Sequence, residues 1–297
     1  SVDKVTGCNS QESIVKQSRQ LKNEISSVAT THGTRHVNLI CHSKGGLDAR
    51  RWLAIEKAKY EADNPDAPPI IVGQFITLNT PHKGSVIADL AIIVADRNST
   101  QKFSVAESNV ERIDLRISAM LNNLLTGTWF GVDPRNDATY DLETHDTTLD
   151  GTTRQGMKSF NIENMPALAA YTNADKTKPE FWATRSDADL NCDDLAAGNE
   201  LDIAEAWEGG GFVHRDIARK MTGQFYVALQ KIASASWSAV AGPDGQKHLI
   251  LQHTNPNPMK NDFLVSYESA IPDSVAQNVF KLAITYQGVA GKMHGNI

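Results

Sequence analysis

A short apolar segment that runs into a serine and two glycines constrains the fold more than any other feature. Residues 36–41 form an apolar run, HVNLIC, short enough for one strand buried on both faces. Residues 47–59 have the composition of a helix, and His42-Ser43-Lys44-Gly45-Gly46 lies between the two. A strand that turns directly into a helix is the unit from which parallel α/β sheets are built.

The neighbouring segments continue this alternation. Residues 9–28 carry apolar side chains at helical spacing, with Asn9 and Glu12 as a capping box and Gly33 as a left-handed end. Residues 70–78 read as the next strand, so helix, strand, helix and strand follow one another. We therefore expect an α/β fold with a mostly parallel sheet covered by helices on both faces.

The alternation of helix and strand patterns does not continue through the middle of the chain. Residues 96–215 are rich in Asp, Asn, Thr and Gly, and we expect them to form a lid or cap insertion. The α/β core would then comprise residues 1–95 and 216–297. In the second part we expect a helix from about 213, a strand over 247–253 and a helix–strand unit over 272–286.

One segment of the predicted insertion has a wide apolar stripe, over about 112–125. Two interpretations remain open: the helix is a mobile lid that turns its apolar face toward an apolar interface, or the stripe packs inside the cap. The stripe comprises Ile113, Leu115, Ile117, Met120, Leu121, Leu124 and Leu125.

Composition excludes several classes of function. The formal net charge of −6 argues against a nucleic-acid partner, which requires clustered Lys and Arg. No segment approaches the roughly 20 apolar residues that span a bilayer. Three cysteines do not describe a disulfide framework, and because Cys41 ends an apolar run, Cys8–Cys192 is the one pair left to consider. No His/Cys cluster has zinc spacing, and no Gly-rich phosphate loop is present.

The serine of the turn is the candidate nucleophile. A serine hydroxyl needs a base within hydrogen-bond reach and an acid that orients the base, and in this fold their chain order is Ser, acid, His. The turn Cys41-His42-Ser43-Lys44-Gly45 matches G-x-S-x-G except that Cys41 replaces the first glycine. The alternative is a Ser/Gly turn that only caps the helix.

Four segments together resemble the bacterial triacylglycerol lipase family. VNLICHSKGGLDARRW and FITLNTPHKGSVIADL resemble the family's nucleophile strand and its T-P-H-x-G-S segment. NDFLVS, which begins at Asn261, resembles the loop that carries the catalytic acid. GKMHG, which begins at Gly291, resembles the histidine loop, and the middle of the chain resembles the family chiefly at Phe160 and Asn161.

The resemblance implies hydrolysis of acyl lipids or similar apolar esters by a Ser43–Asp262–His294 triad. Ser43 would attack the ester carbonyl, His294 would move the proton, and Asp262 would orient the imidazole. The backbone N–H of Lys44 would donate one oxyanion hydrogen bond. A phospholipase or acyltransferase on the same triad, and a non-catalytic scaffold, remain alternatives. The resemblance also implies a secreted bacterial protein that contacts a lipid interface only transiently.

Other residues compete for these roles. Asp244 and Asp273 are rival acids, whereas His294 is the only histidine downstream of Asp262. His82 precedes every candidate acid, so we interpret it as structural or pocket-lining. We expect His42 to pack beside the turn and His214 to lie at a helix start, and we expect no base role for the Lys44 side chain.

The chain departs from the family in two places. The 42 residues before Ser43 hold no equivalent of the family's early strands and His-Gly loop, so we expect a further polypeptide segment to supply them. The family often holds a structural calcium through an aspartate just after the histidine, but Gly295 and Asn296 stand there. We therefore expect no cofactor, and calcium has no support from these residues.

Overall fold

A computed structural model of the chain describes just over half of the residues. The described parts are residues 3, 5, 11–66, 68–95, 103–105, 136–149, 152–170, 180–184, 235–241, 247–253, 264–266, 268–272 and 281–282.

The central element is a parallel sheet of four strands in the order β1-β2-β6-β9. Its strands are β1 (His36–His42), β2 (Ile71–Leu78), β6 (Glu180–Thr184) and β9 (Lys281–Leu282). All three pairs of neighbouring strands run parallel, so the predicted parallel sheet is confirmed.

The helices precede or follow these strands along the chain. Among the described residues, none of them is both long enough and apolar enough to cross a bilayer. They are α1 (Ile14–Thr31), α2 (Lys44–Arg51), which continues through a π-helical turn (Trp52–Glu56) into α3 (Lys57–Asp63), α4 (Val86–Ala95), α5 (Asp137–Asp141) and α6 (Met157–Ala170).

Helix α1 begins and ends at identifiable signals. Its N-cap is Ser13, whose hydroxyl accepts from the Lys16 N–H at 3.2 Å, so the predicted capping box at Asn9 is wrong. Glu12 instead accepts a hydrogen bond from Gln17. At the other end Gly33 has φ 61°, which confirms the left-handed end that the sequence predicts.

The core lies between the helices that flank β1 and one face of the sheet. Phe75 on β2 and Phe181 on β6 are fully buried and stack with ring centroids 5.0 Å apart. Trp52 of the π-helical turn is buried in the same cluster, and Leu21 and Ile25 bring α1 onto it. Burying each such large apolar side chain contributes roughly 1.5–3 kcal/mol, so this cluster fixes how α1 and α2 lie on the sheet.

The predicted insertion is partly core. Strand β6 falls inside residues 96–215, yet it pairs with β2 from Gln74↔Glu180 to Leu78↔Thr184. Helix α6, also in that range, places Met157 and Phe160 in a cluster with Leu47 of α2. The assignment of these segments to a cap is therefore corrected. The apolar stripe over 112–125 lies outside the described residues.

Two smaller sheets complete the described strands. β3 (Phe103–Val105), β8 (Lys247–His253) and β7 (Ala235–Ala241) form a three-stranded sheet in the order β3-β8-β7. The bounds of β8 confirm the strand predicted over 247–253. β4 (Thr147–Leu149) and β5 (Thr152–Arg154) form an antiparallel pair.

Strand β1 forms one edge of the described parallel sheet, and one of its faces is open. His36, Asn38, Ile40 and His42 are exposed, whereas the intervening residues are half-buried. Ile40 is 62% exposed. The expected burial of β1 on both faces is thus not met among the described residues. The further segment that the resemblance implies for this region stays a prediction.

Candidate active site

Ser43 occupies the turn between β1, which ends at His42, and α2, which begins at Lys44. Its backbone has φ 54° and ψ −136°, a conformation that costs a residue with a Cβ about 1–3 kcal/mol. The Ser43 N–H donates to the carbonyl oxygen of Leu78 at 3.0 Å, so the turn is tied to the end of β2. This strained serine between a strand and a helix is the geometry of a nucleophile elbow.

The elbow depends on a close approach between α2 and the segment after β2. The carbonyl oxygen of Ser43 accepts from the Gly46 N–H at 3.1 Å and from the Thr80 hydroxyl at 2.9 Å. A Cβ on Gly46 would lie 2.1 Å from Thr80 Oγ1, whereas a Cβ on Gly45 would meet nothing within 4 Å. The close approach is therefore at Gly46, one residue after the glycine that completes the G-x-S-x-G pattern.

The side chain of Lys44 forms a buried ion pair within helix α2. Its Nζ donates to both carboxylate oxygens of Asp48, at 2.9 and 3.1 Å, and both side chains are buried. Burial raises the pKa of Asp48 to about 6, against the opposing effect of the Lys44 charge. The amine is held in this pair, as expected for a residue without a base role. The Lys44 N–H belongs to the first turn of α2, where an N–H has no intrahelical acceptor.

Cys41, at the position of the first glycine of the motif, is half-buried. Burial raises the pKa of its thiol to about 12, and the charge of Asp48 adds to the rise. A thiol with this pKa holds its proton at neutral pH, and the thiolate is the nucleophilic form. Cys41 is therefore held in the less reactive thiol form at neutral pH. Cys8 and Cys192 lie outside the described residues, so their pairing stays untested.

His82 is enclosed rather than presented to a substrate. It is fully buried, with Nδ1 3.1 Å from an Arg50 NH group and Nε2 3.2 Å from the Thr77 hydroxyl. Because arginine can only donate, Nδ1 accepts and the proton resides on Nε2. Burial lowers the pKa of His82 well below its usual value, and the charges of Arg50 and Lys83 lower it further. The neutral ring fits a structural role.

Arg50 links His82 to helix α6. It is fully buried, donates to Asn161 Oδ1 and lies with its Cζ 4.8 Å from the centre of the Phe160 ring. The Asn161 amide in turn donates to the His82 carbonyl oxygen at 3.1 Å. Sequence reasoning missed Arg50, although the resemblance pointed to Phe160 and Asn161. The signal available in the sequence was an arginine that follows the serine motif and lies on an apolar face of the helix predicted over 47–59.

The segment predicted to carry the acid packs on the loop that follows β2. The Ser85 hydroxyl donates to the carbonyl oxygen of Leu264 at 2.5 Å, and the Ser269 hydroxyl donates to that of Gly84 at 2.6 Å. The same loop contains Thr80, which contacts Ser43. Leu264 follows Asp262 by two positions in the chain. Asp262 and His294 themselves lie outside the described residues, as do Asp244, Asp273 and His214.

A parallel sheet with a strained serine elbow at the carboxyl end of a strand decides the fold class. The fold is that of an α/β-hydrolase. The elbow lies where enzymes of this class hold their nucleophile, at the end of a sheet strand and the start of a helix.

The comparisons with known proteins return solved structures only. No family model matches the chain, and no curated protein does. The lipase BlEst2 of Bacillus licheniformis is similar in its mature form, with a TM-score of 0.42 and 17% identity over 96% of this chain and 69% of that one. Its propeptide form has a TM-score of 0.45 and 18% identity over 96% of this chain. The chain spans 38% of the length of that propeptide form.

Proposed function

We propose that this chain is a serine carboxylic-ester hydrolase that acts on acyl lipids or similar apolar esters, with Ser43 as its nucleophile. The observation that carries the proposal is the backbone of Ser43, whose φ of 54° and ψ of −136° turn β1 sharply into α2. A strained conformation of this kind persists only where the surroundings hold it, and such residues cluster at active sites. Here Leu78, Gly46 and Thr80 hold it by hydrogen bonds.

In the proposed reaction the Ser43 oxygen forms a bond to the ester carbonyl carbon while His294 accepts the hydroxyl proton. Collapse of the tetrahedral intermediate breaks the bond to the leaving alcohol, which takes that proton from His294. Water then repeats the sequence and releases the acid. Asp262 orients His294 and stabilises the imidazolium that forms in each half.

The negative charge that develops on the carbonyl oxygen needs donors fixed in advance. The Lys44 N–H is the proposed donor on this chain, since it follows the nucleophile directly and lies at the positive end of the α2 dipole. The second donor is proposed to come from a further polypeptide segment, as the family resemblance implies. Loss of one such donor typically costs about 2.7–4 kcal/mol of transition-state stabilisation.

The substrate class rests on the sequence resemblance at the elbow and the T-P-H-x-G-S segment.

An acyl-serine intermediate can also pass its acyl group to an alcohol instead of water. Product analysis with a long-chain ester, with and without added glycerol, separates hydrolysis from acyl transfer. Release of free fatty acid as the main product in both conditions is the expected result.

The decisive experiment is labelling with a fluorophosphonate probe, followed by peptide mapping. We expect the label on Ser43, none in Ser43→Ala, and labelling slowed by roughly 10³–10⁴-fold in Asp262→Asn and His294→Ala. Ser27→Ala, at an exposed position on α1, is the matched control and should label like the wild type.

Two results would contradict the proposal. If the folded wild-type chain takes up no label, the remaining interpretation is a non-catalytic scaffold with a hydrolase-like fold. Full-rate labelling of Asp262→Ala would remove Asp262 from the triad while keeping Ser43 as the nucleophile.

A further inference from the structure

Three metal-ligating side chains converge beside helix α4, away from Ser43 in the chain and not used in the proposed reaction. Asp89 lies on α4, and Glu143 and His145 lie on the loop between α5 and β4. One carboxylate oxygen of each acid and one ring nitrogen of His145 all lie within 4.8 Å of one another. The three groups therefore form one compact cluster.

The two carboxylates are buried in a way that calls for a positive charge. Asp89 and Glu143 are 0% and 1% exposed. Glu143 Oε1 accepts from the Thr147 hydroxyl at 2.7 Å, but among the described residues its buried Oε2 has no hydrogen-bond partner. Desolvating a carboxylate without pairing it costs several kcal/mol, so this oxygen lacks the compensation that buried acids usually have.

The loop that carries Glu143 and His145 is held rigidly. The Ser85 N–H donates to Leu142 O at 2.8 Å and the Met157 N–H donates to Glu143 O at 2.7 Å. A Cβ on Gly156 would lie 2.1 Å from His145 O. Backbone this closely packed keeps the two side chains in place without a ligand, which is what a preformed site requires.

Neighbouring hydrogen bonds orient the first carboxylate and the imidazole. Both oxygens of Asp89 accept from Thr144, one from its N–H and one from its hydroxyl, each at 2.7 Å. His145 Nδ1 lies 3.2 Å from the same hydroxyl and 3.6 Å from Asp89 Oδ1. Partners of this kind fix the orientation of metal ligands in known sites. The side chain of His145 is 17% exposed, so it is the most accessible of the three.

From this arrangement we infer that Asp89, Glu143 and His145 form a binding site for a divalent transition-metal ion of the Zn²⁺ type, which joins α4 to the α5–β4 loop. One imidazole and two carboxylates suit Zn²⁺ with water in a fourth position. Calcium prefers six to eight oxygen ligands and does not favour an imidazole nitrogen. The ion would stabilise the fold on which the Ser85–Leu264 contact depends, so its role is structural.

The test uses the whole chain, zinc chloride and the isosteric variant Glu143→Gln, which keeps the size of the side chain and an acceptor for Thr147. Metal content after dialysis is measured by elemental mass spectrometry, and Tm is measured in EDTA and in excess Zn²⁺. Glu163→Gln, an exposed acid on α6, is the matched control. Replacement of Zn²⁺ by Co²⁺ adds a visible spectrum that reports the ligand set.

We expect one Zn²⁺ per chain in the wild type and in Glu163→Gln, and an affinity at least tenfold weaker in Glu143→Gln. Zinc should raise the wild-type Tm by roughly 5 °C. In zinc the wild type should have the higher Tm. In EDTA, Glu143→Gln should be at least as stable as the wild type, because a neutral amide replaces a buried acid next to Asp89. Zinc and cobalt binding should persist in a tenfold excess of Ca²⁺.

Absence of bound metal from the folded wild type would overturn the inference, and so would equal zinc affinity in the wild type and Glu143→Gln. A loss of Tm in Glu143→Gln that is the same in EDTA and in Zn²⁺ would also overturn it, since that result describes a purely structural acid. None of these outcomes bears on whether Ser43 reacts with a fluorophosphonate.

Discussion

The hydroxyl of Thr80 donates a 2.9 Å hydrogen bond to the backbone carbonyl oxygen of Ser43. This bond ties the segment after β2 to the residue with the most constrained backbone of the site. It also brings the Thr80 side chain against α2, where only a glycine fits at position 46. The conformation of the elbow therefore depends on two residues that take no part in the proposed chemistry.

Gly46→Ala should lower the free energy of unfolding by about 1–3 kcal/mol, because its Cβ would overlap Thr80 Oγ1. Urea denaturation measures this, and ester hydrolysis should fall with it because the elbow is displaced. Gly45→Ala is the matched control and should raise stability by roughly 0.5–1 kcal/mol, as alanine does inside a helix. The Thr80→Ala change should relieve part of the Gly46→Ala loss, and strict additivity of the two would contradict this account.

Arg50→Lys should lower the free energy of unfolding by at least about 2 kcal/mol, although the charge is kept. The guanidinium contacts His82 Nδ1 and Asn161 Oδ1 at once, and an ammonium cannot reproduce that fork. Chemical denaturation at pH 7.5 is the measurement. Arg19→Lys is the control, since the Arg19 side chain is 64% exposed and should tolerate the change. If Arg50→Lys and Arg19→Lys are equally stable, the two contacts of the Arg50 guanidinium contribute nothing to the free energy of unfolding.

Acid should destabilise the fold through His82. Its pKa is lowered in the folded state, so the folded protein binds fewer protons than the unfolded chain. The stability contributed by the neutral ring is therefore complete above the unfolded value of about 6.5 and is lost as the pH falls below it. The slope of unfolding free energy against pH between 7 and 5 should flatten in His82→Gln relative to the wild type. The exposed His36→Gln should keep the wild-type slope, and an unchanged slope in His82→Gln would contradict the assignment.

In the chain of residues 1–297 alone, without the further polypeptide segment, Ile40→Lys should reduce self-association while changing the Tm by no more than about 2 °C. Ile40 is 62% exposed on the edge strand β1, and exposed apolar edges pair with other chains. Sedimentation velocity measures the association. Val15→Lys, at an exposed position on α1, is the control. A large fall in Tm for Ile40→Lys would contradict this account, because it would show that the Ile40 side chain is buried in the folded chain.

Sequence patterns predicted those parts of the molecule that depend on residues close together in the chain. The strand–turn–helix around Ser43, the left-handed Gly33 and the bounds of β8 all follow from local apolar runs and glycine. The cap at Ser13 was missed by four positions because Asn9 and Glu12 have the same local pattern.

Long-range partners account for what the sequence could not predict. Strand β6 has five residues, lies in a polar region and is defined by pairing with β2. The Arg50–Asn161 contact joins residues 111 positions apart, and the Ser85–Leu264 contact joins residues 179 apart. No periodicity or motif specifies such pairs, because they exist only once the sheet has assembled. The Asp89 site was missed for the same reason, since zinc spacing was sought among nearby His and Cys.

The pairing of β2 with β6 has a consequence for biosynthesis. The contact between the Thr77 hydroxyl and the Trp182 carbonyl oxygen joins residues 105 apart. At about 5–20 residues per second, a ribosome needs roughly 5–20 s after completing β2 before its partner strand has been made. Throughout that interval the nascent chain carries an open strand edge, and the Phe75 ring has not met Phe181. The newly made chain therefore exposes surface of the kind that ribosome-bound chaperones bind.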